Sequence, residues 1–266
     1  WDGKKFGITT IPSFISCCNI IIHEKSPSLK KKQKTNIKFK NIKWISDLKK
    51  INNLPSIFLA NEFFDAIPIK QFLKYEGSWF EKFINISDNK NIHFITKKTD
   101  IKKIEKKINF QISKKQKFIE FSPLGFKYLM NIFKFIKKNK GGLLIIDYGY
   151  FSKKMKDTLQ AIYKKKHSKV LENIGQSDIT YSINFFLIKK IAENFRGLNA
   201  NFTSQKMFLT SLGIHKRAEI ISKNKTFTEK ADIFYRLKRL INEKEMGDLF
   251  KVMLIKNLDN NAQTGF

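Results

Sequence analysis

Short apolar runs that end in polar residues recur along the first part of the chain. They span Cys18 to Glu24, Ile42 to Ile45, and Ser56 to Ala60. Such runs are typical of strands that are buried on both faces of a parallel sheet. Ser26-Pro27 follows the first run and predicts a helix, because Ser caps helices and Pro suits their first turn. The pattern predicts a doubly wound α/β sheet.

The pattern changes between residues 69 and 121, where apolar pairs alternate with polar turns and predict an antiparallel insertion. Ser122-Pro123 then predicts a helix that ends near Gly141-Gly142. The run Leu143 to Ile146 predicts a buried strand. Accordingly we expect residues 1–150 to form the core with inserted strands at about 69–121. Residues 151–266 are expected to form a mostly helical substrate-side region that returns a last strand, 249–256, to the core.

Composition changes this picture little, although the 266 residues carry a net charge of +29. Only four of the 52 basic residues are arginine, whereas a nucleic-acid binder favours arginine and concentrates its charge on one element. The scattered lysines indicate a solvated surface shaped by compositional drift, so nucleic acid is an unexpected partner. No apolar run approaches the ~20 residues of a membrane helix.

The two cysteines, Cys17 and Cys18, are adjacent. Neighbouring cysteines rarely pair with each other, and the sequence offers no second pair at metal-ligand spacing. We therefore expect a reducing compartment, no disulfide and no metal site. A drifted, Lys-rich composition favours a bacterial cytoplasm, and a eukaryotic origin would instead point to mitochondria.

Polar groups follow three of the predicted strands: Glu24, Asn61-Glu62 and Asp147. Open α/β sheets bind ligands at the carboxyl ends of their strands. An acid at such an end can accept both hydroxyls of a ribose, and the same acid can also simply cap a helix. The three strand ends together predict a nucleotide-like site.

Seven motifs along the chain together resemble those of one protein family. The string from Leu59 to Pro68, LANEFFDAIP, is similar to the signature of the MidA-type S-adenosylmethionine-dependent methyltransferases, the family of the mitochondrial complex I assembly arginine methyltransferase. Further stretches resemble other blocks of that family in the same order: HEKSP from His23, LIIDYGY from Leu144, DTLQA from Asp157 with His167, DIT from Asp178, TSQKMFLTSLGI from Thr203, and MGDLFKV from Met246.

This resemblance implies a class I, Rossmann-like methyltransferase fold, S-adenosylmethionine as cofactor, and arginine of a protein as methyl acceptor, with a complex I subunit and a homodimer as further expectations. Glu24 would bind the ribose hydroxyls, and Asp47 would face the adenine or cap the following helix. Asn61, Glu62 and Asp65 would lie near the methyl group, where carboxylates orient a guanidinium. The alternative for Asn61 and Asp65 is that they satisfy backbone groups in a tight turn.

The acceptor side is predicted from the second half of the chain. Asp147, Tyr148 and Gly149 would wall it, with Gly149 allowing close backbone approach, or would form a plain strand-to-loop turn. The resemblance also suggests an acceptor pocket with four more residues: Gln160, His167, Asp178 and Thr180. A lone histidine such as His167 is more often a structural hydrogen-bonding group than a catalyst.

The sequence departs from the family in two places. The first strand and its glycine-rich loop have no counterpart, and Trp1 to Thr10 resembles neither, so we expect them to precede residue 1. Tyr181-Ser182-Ile183-Asn184 stands where the family usually has Ala-His-Val-Asp, which weakens an acid–base role there. Two alternatives therefore remain open: a non-catalytic assembly factor that binds a partner protein, and an RNA-binding methyltransferase.

Overall fold

The computed structural model describes residues 17–37 and 41–266, so the expectation for Trp1 to Thr10 lies outside the described residues. The chain divides into two compact units, before and after the Leu54–Pro55 bond. The predicted division after residue 150 falls inside the second unit and stays a prediction.

The first unit contains a two-stranded parallel sheet. Strand β1 (Ile20–His23) pairs with β2 (Ile42–Ile45), and helix α1 (Pro27–Asn36) connects them. The helix begins as predicted, because the Ser26 hydroxyl accepts a hydrogen bond from the Leu29 amide and Pro27 occupies the first turn. A short 3₁₀ helix, Leu48–Lys50, follows β2.

The main sheet of the second unit is built around the longest strand, β8 (Gly141–Tyr150). Strand β3 (Ser56–Asn61) runs parallel to β8 on one side, and the short β12 (Ile183–Asn184) continues the pairing beyond residue 148. On the other side β14 (Phe250–Asn257) is antiparallel to β8 and carries β13 (Leu198–Ser204) on its outer edge. The sheet is therefore parallel apart from β14, in agreement with the predicted α/β class.

The predicted antiparallel insertion is a separate four-stranded sheet. Its strands lie in the order β6 (Ile92–Thr99), β5 (Ser78–Ile86), β4 (Lys70–Tyr75) and β7 (Phe118–Phe121). Helix α2 (Ile101–Ile108), which we did not predict, closes a core of its own with this sheet. The buried members of that core are Phe72, Trp79, Ile101, Ile112, Ile119 and Phe121. The insertion thus has a buried core, against which Phe126, Met155 and Leu187 from other parts of the second unit also pack.

The predicted helix after Ser122-Pro123 is α3 (Pro123–Asn139), and it packs with the main sheet. Its buried face includes Ile132, Phe133 and Ile136. Alternate residues of β8 are fully buried, namely Leu143, Ile145 and also Asp147. The first two contribute apolar core, and the third places a carboxyl group in line with that core.

The part beyond residue 150 is less helical than expected. A small antiparallel sheet comes first, with β10 (Lys166–Ser168) and β11 (Asp178–Thr180) on either side of β9 (Gln160–Tyr163). The helices are α4 (Phe185–Asn194), α5 (Gln205–Ser211), α6 (Ile214–Ser222), α7 (Phe227–Ile241) and the single turn α8 (Met246–Leu249). Strand β14 lies within one residue of the expected last strand, 249–256, whereas β9 to β13 were not predicted. In the described part of the chain, no helix is both long and apolar enough to cross a bilayer.

Candidate functional site

The signature segment forms a tight turn where β3 ends. The Glu62 amide donates to the Ile146 carbonyl at 2.9 Å, so the turn begins against β8, and Glu62 itself has a left-handed φ of 45°. The turn closes with the Ile67 amide on the Phe64 carbonyl at 3.2 Å. Phe64 and Asp65 point into the protein, while Asn61 and Glu62 remain exposed. The exposed Asn61 amide donates to Glu62 Oε1 at 3.3 Å.

Asp147 holds this turn from β8. One carboxylate oxygen, Oδ2, accepts the amide N–H groups of Phe64 at 3.0 Å and of Asp65 at 3.4 Å, while Oδ1 accepts the Tyr148 amide at 2.9 Å. The side chain is 0% exposed. This placement differs from the predicted acceptor contact, because a fully buried carboxylate does not line an open wall. Burial, and then the neighbouring Asp65, raise the pKa of Asp147 to about 7.

Asp65 is the least satisfied acid of the turn. Its side chain is 5% exposed, and its Oδ1 atom is buried without a hydrogen-bond partner among the described residues. The carboxylate does accept the Ala66 amide, so the tight-turn role left open in the sequence is real but incomplete. Burial raises the pKa of Asp65, and the like charges of Glu62 and Asp178 raise it further. Four carboxyl groups therefore share one region: Glu62, Asp65, Asp147 and Asp178.

Tyr148 borders the same acids. Burial raises the pKa of its hydroxyl, with Glu62, Asp65 and Asp147 adding to the effect, and its ring packs against Phe250 at 4.1 Å between centroids. Arg239 of α7 is the cation that acts in the opposite direction on this hydroxyl. The sequence analysis did not select Arg239, and its position in an amphipathic helix gave no sign of the contact.

The close approach predicted at Gly149 is made by the protein's own chain. A Cβ atom there would lie 2.5 Å from the Ile183 carbonyl oxygen and 2.6 Å from the Phe185 ring. Both contacts come from the β12–α4 segment, which pairs with β8 at this residue. Gly149 is therefore needed for strand packing, which differs from the acceptor-side role that we expected.

The β9–β11 sheet collects the remaining predicted acceptor residues on one face. His167 and Asp178 lie on either side of Ile162, and Thr180 lies opposite Gln160. Directly paired residues of antiparallel strands project to the same side, as do residues two apart. Gln160, His167, Asp178 and Thr180 consequently share one face, here called the acceptor face, and Gln160 donates to Thr180 Oγ1 at 3.3 Å. Asp178 links this face to Asp65 electrostatically.

Glu24 and Asp47, the predicted cofactor-binding acids of the first unit, each accept a hydrogen bond from a backbone amide. Glu24 Oε1 accepts the Ser26 amide at 2.8 Å, and Oε2 accepts the Gln33 side-chain amide at 3.2 Å. Gln33 is itself oriented by the Trp44 indole N–H at 3.0 Å. Asp47 is exposed and caps the 3₁₀ helix through the Lys49 amide at 3.0 Å, the alternative that the sequence left open.

Tyr181 is a second residue that the sequence did not identify as part of the site. It is buried and hydrogen-bonded to Ser122. The Ser122 hydroxyl donates to the Pro68 carbonyl at 2.8 Å, so the tyrosine is the donor in their contact. Burial, followed by Asp147, raises the pKa of Tyr181. Within residues 17–37 and 41–266, no cluster of three or more His, Cys, Asp or Glu side chains is arranged to hold a metal ion.

Comparison with known sequences identifies the family. Residues 6–203 match the family described as "Putative S-adenosyl-L-methionine-dependent methyltransferase". Protein arginine methyltransferase NDUFAF7, mitochondrial, of Danio rerio is 25% identical over 224 residues, which is 84% of this chain and 52% of that protein. The Caenorhabditis elegans homolog is 28% identical over 179 residues, 66% of this chain and 42% of its own. The chain spans about half the length of these curated relatives.

Solved structures show the same fold. A Burkholderia thailandensis crystal structure bound to S-adenosyl-homocysteine is 21% identical, with a TM-score of 0.75 over 93% of this chain and 66% of that one. A second structure from that organism gives 0.70 at 20% identity, over 85% and 61% of the two chains. The class I methyltransferase-like fold and the resemblance drawn from the seven motifs are thereby confirmed. The chain belongs to this family of S-adenosylmethionine-dependent methyltransferases.

Proposed function

We propose that the protein transfers a methyl group from S-adenosylmethionine to an arginine side chain of a protein acceptor. The observation that carries the proposal is the acid cluster of Glu62, Asp65, Asp147 and Asp178 in a chain of net charge +29. Asp65 keeps one buried oxygen without a partner among the described residues. A buried carboxylate oxygen is costly to leave unpaired, so the site is suited to a cationic ligand that donates hydrogen bonds.

A guanidinium group fits this arrangement better than an ammonium. Its planar N–H groups match carboxylate oxygens in a fixed geometry, whereas ammonium is a point charge. Glu62 is exposed and acts electrostatically on the buried Asp65, so the two carboxylates belong to one negatively charged region. We assign Asp65 and Glu62 to orienting the acceptor nitrogen, and keep Asn61 as a further candidate because its side chain is hydrogen-bonded to Glu62.

Glu24 is suited to hold the cofactor. Its carboxylate follows β1 and is oriented by Ser26 and by the Gln33–Trp44 pair, and each oxygen keeps capacity for a further hydrogen bond. Hydroxyl groups of a ribose are donors of the kind that it would accept. Asp47 stays a weaker candidate, because it already caps a helix. When bound, S-adenosylmethionine supplies the electrophilic methyl group.

The acids also supply a place for the proton. A guanidinium nitrogen that gains a methyl group must release a proton, and guanidinium is hardly deprotonated in water. Burial raises the pKa of Asp65 above its ordinary value and that of Asp147 to about 7, so the carboxyl groups of this cluster take up a proton more readily than a carboxyl group in water. We assign the proton to Asp65, which is the group that the acceptor would touch.

The relatives support the class of acceptor, since those compared above are named protein arginine methyltransferases and mitochondrial proteins. The finer expectations extend the proposal: a complex I subunit as acceptor, a homodimer, and a bacterial cytoplasm or mitochondrion as location. The acceptor face, with Gln160, His167, Asp178 and Thr180, is the surface that we assign to the acceptor protein.

Calorimetry with S-adenosylmethionine, followed by transfer of its labelled methyl group, tests the proposal on the longest version of the protein that its gene encodes. We expect the protein to bind S-adenosylmethionine. Glu24→Gln should weaken this binding about tenfold, which corresponds to the loss of one charged hydrogen bond. We expect transfer to an arginine–glycine repeat peptide but not to its lysine analogue. Asp65→Asn should lower transfer at least ~100-fold, because orientation and proton uptake are lost together.

Two exposed turn residues provide matched controls, Glu76→Gln and Asp88→Asn, which remove the same charges away from the site. Transfer by the Asp65→Asn variant at the wild-type rate would contradict the assignment of that residue. Binding of the arginine peptide without any transfer would favour the alternative of a non-catalytic factor that binds a partner protein. Transfer to RNA rather than to peptide would replace the acceptor class.

A further inference from the structure

The inserted sheet contains a second group of buried polar side chains, which the proposed chemistry does not use. Gln71 of β4 is 4% exposed and Glu120 of β7 is 7% exposed. The Gln71 amide donates to Glu120 Oε2 at 2.7 Å and to Asp157 Oδ1 at 2.8 Å. Lys82 of β5 donates to Gln71 Oε1 at 3.1 Å, so the amide orientation of Gln71 is fixed.

Glu120 accepts hydrogen bonds from a residue outside the inserted sheet, Thr158. Its Oε2 atom accepts the Thr158 backbone amide at 3.3 Å, and its Oε1 atom accepts the Thr158 hydroxyl. The same hydroxyl oxygen accepts the Ser182 backbone amide at 2.9 Å. Glu120, Thr158 and Ser182 thus form a continuous chain of hydrogen bonds, here called the clamp.

The clamp lies at the open end of the acceptor face. Thr158 comes two residues before Gln160, where β9 begins, and Ser182 comes two residues after Thr180, where β11 ends. Gln160 and Thr180 are the last pair in the register of these two strands. The clamp therefore joins the chain entering β9 to the chain leaving β11, and attaches both to a rigid sheet.

We propose that Glu120 and Thr158 are positioning residues that hold the acceptor face, and Asp178 with it, in place beside Asp65. The inference rests on the proposed function, and it makes the inserted sheet a part of the acceptor site. Neither residue belongs to the acid cluster at the end of β3. Their effect passes through Ser182 and the β9–β11 pairing.

Thr158→Val tests the clamp, because it removes the hydroxyl and keeps a branched side chain of similar size. Thr158→Ser restores the hydroxyl and serves as the rescue. Thr96→Val, an exposed threonine on β6, is the matched control. Glu120→Gln tests the same contact from the other side, because its NH₂ group meets donors on Gln71 and Thr158. A thermal melt of each variant establishes that it is folded.

The measurements are the affinity for an arginine–glycine repeat peptide, the affinity for S-adenosylmethionine, and amide hydrogen exchange across residues 178–182. We expect Thr158→Val to weaken peptide binding about tenfold and to speed exchange at Ser182 by a similar factor, as the loss of one buried hydrogen-bond relay implies. Cofactor affinity should stay unchanged. Thr158→Ser should return both values to those of the wild type.

The outcomes separate this inference from the proposed function. Wild-type peptide affinity in Thr158→Val and Glu120→Gln, with binding still lost in Asp65→Asn, overturns the clamp and leaves the proposed function intact. Unchanged exchange at Ser182 in Thr158→Val also overturns it, whatever the peptide does. If Asp65→Asn binds the peptide as tightly as the wild type, the assignment of Asp65 fails and the positioning of Asp178 beside it fails too. If the wild type itself does not bind the peptide, the proposed function fails and the positioning role fails with it.

Discussion

Two buried carboxyl groups of the second unit have opposite surroundings. Glu120 faces donors: the Gln71 amide and the backbone and hydroxyl of Thr158. Asp65 faces other acids, and one of its oxygens has no partner within the described chain. Burial is the largest cause and raises the pKa of both side chains. For Glu120 the next largest causes are hydrogen bonds, which lower the pKa, whereas for Asp65 the next largest is the like charge of Glu62, which raises it further.

Glu120 is thus a carboxyl group that stabilises the fold, whereas Asp65 is one that we propose binds a ligand. A satisfied buried acid adds rigidity, since each of its bonds fixes another segment. An unsatisfied one costs stability, and such groups concentrate at functional sites. The proposal for Asp65 and the clamp of Glu120 both follow from this contrast.

The acid cluster should respond to pH most strongly through Asp147. Its pKa of about 7 lies above the ordinary 3.8, so the folded state binds the proton more tightly than the unfolded state does. The resulting stability is present at low pH and is lost as pH rises from about 4 to about 7, by as much as ~4 kcal/mol. Asp147→Asn should remove this dependence.

Urea titrations of wild type and Asp147→Asn over that pH range measure the effect as a difference, in which the other titrating groups cancel. The stability of the wild type relative to the variant should decline with rising pH. Parallel curves for the two proteins would show that burial does not raise the pKa of Asp147. The contrast between the acid cluster and Glu120 would then lose its strongest support.

Gly149→Ala should disturb the pairing of β8 with β12. The added Cβ would meet the Ile183 carbonyl and the Phe185 ring at 2.5 and 2.6 Å, and a backbone atom cannot rotate away. We expect a loss of ~3 kcal/mol in the free energy of unfolding. Gly175→Ala is the comparison variant, because its added Cβ would meet no atom of the described chain although Gly175 has a φ of 79°. This substitution should lower the free energy of unfolding by only ~1 kcal/mol. Equal losses of stability in Gly149→Ala and Gly175→Ala would mean that β12 can move away from the added methyl group at little cost.

Neutral substitutions should change stability in opposite directions at the two acids. At pH 8, Glu120→Gln should destabilise the protein by ~2 kcal/mol, because it places a donor against donors. Asp65→Asn should stabilise it by ~1 kcal/mol while peptide binding is lost, since a strained charge is removed. Denaturation curves for both variants, with Asp88→Asn as the exposed control, check the signs. If both substitutions destabilise the protein, Asp65 has a structural role like that of Glu120.

Tyr181→Phe should have the smallest effect, about 1 kcal/mol. The hydroxyl donates to Ser122, which keeps its bonds to Pro68 and Gly125 when the tyrosine is replaced. This hydroxyl is affected electrostatically both by Asp147 and Asp65 of the acid cluster and by the Glu120 group. A loss several times larger, measured by urea denaturation, would show that the two groups form one network through Tyr181.

The sequence predicted the strands and helices whose own apolar pattern is strong. Strands β1, β2, β3, β8 and β14 and helix α3 fall within a few residues of the expectation. Helix α2 had a usable signal, since Ile101, Ile104 and Ile108 repeat at helical spacing behind the cap Asp100. Strand β13, with the sequence LNANFTS, also had a signal, because Leu198, Ala200 and Phe202 alternate with polar residues, and we missed it.

The site was predictable in its parts but not in its arrangement. The motifs selected Asp65, Asp147 and Asp178, and the structure brings these acids together. The burial of Asp147 was readable, because it is in phase with Leu143 and Ile145 on β8. The bond between Glu120 and Thr158 joins residues 38 positions apart, and no local pattern encodes such a pairing.

The bond from the Phe64 amide to Asp147 spans 83 positions of sequence. During synthesis, the turn after β3 leaves the ribosome long before the strand that carries its carboxylate anchor. Contacts of such separation form late, because a long loop must close before any of them is gained. The turn after β3 should accordingly be among the last parts of the second unit to acquire its final geometry, after the strands of the inserted sheet have paired.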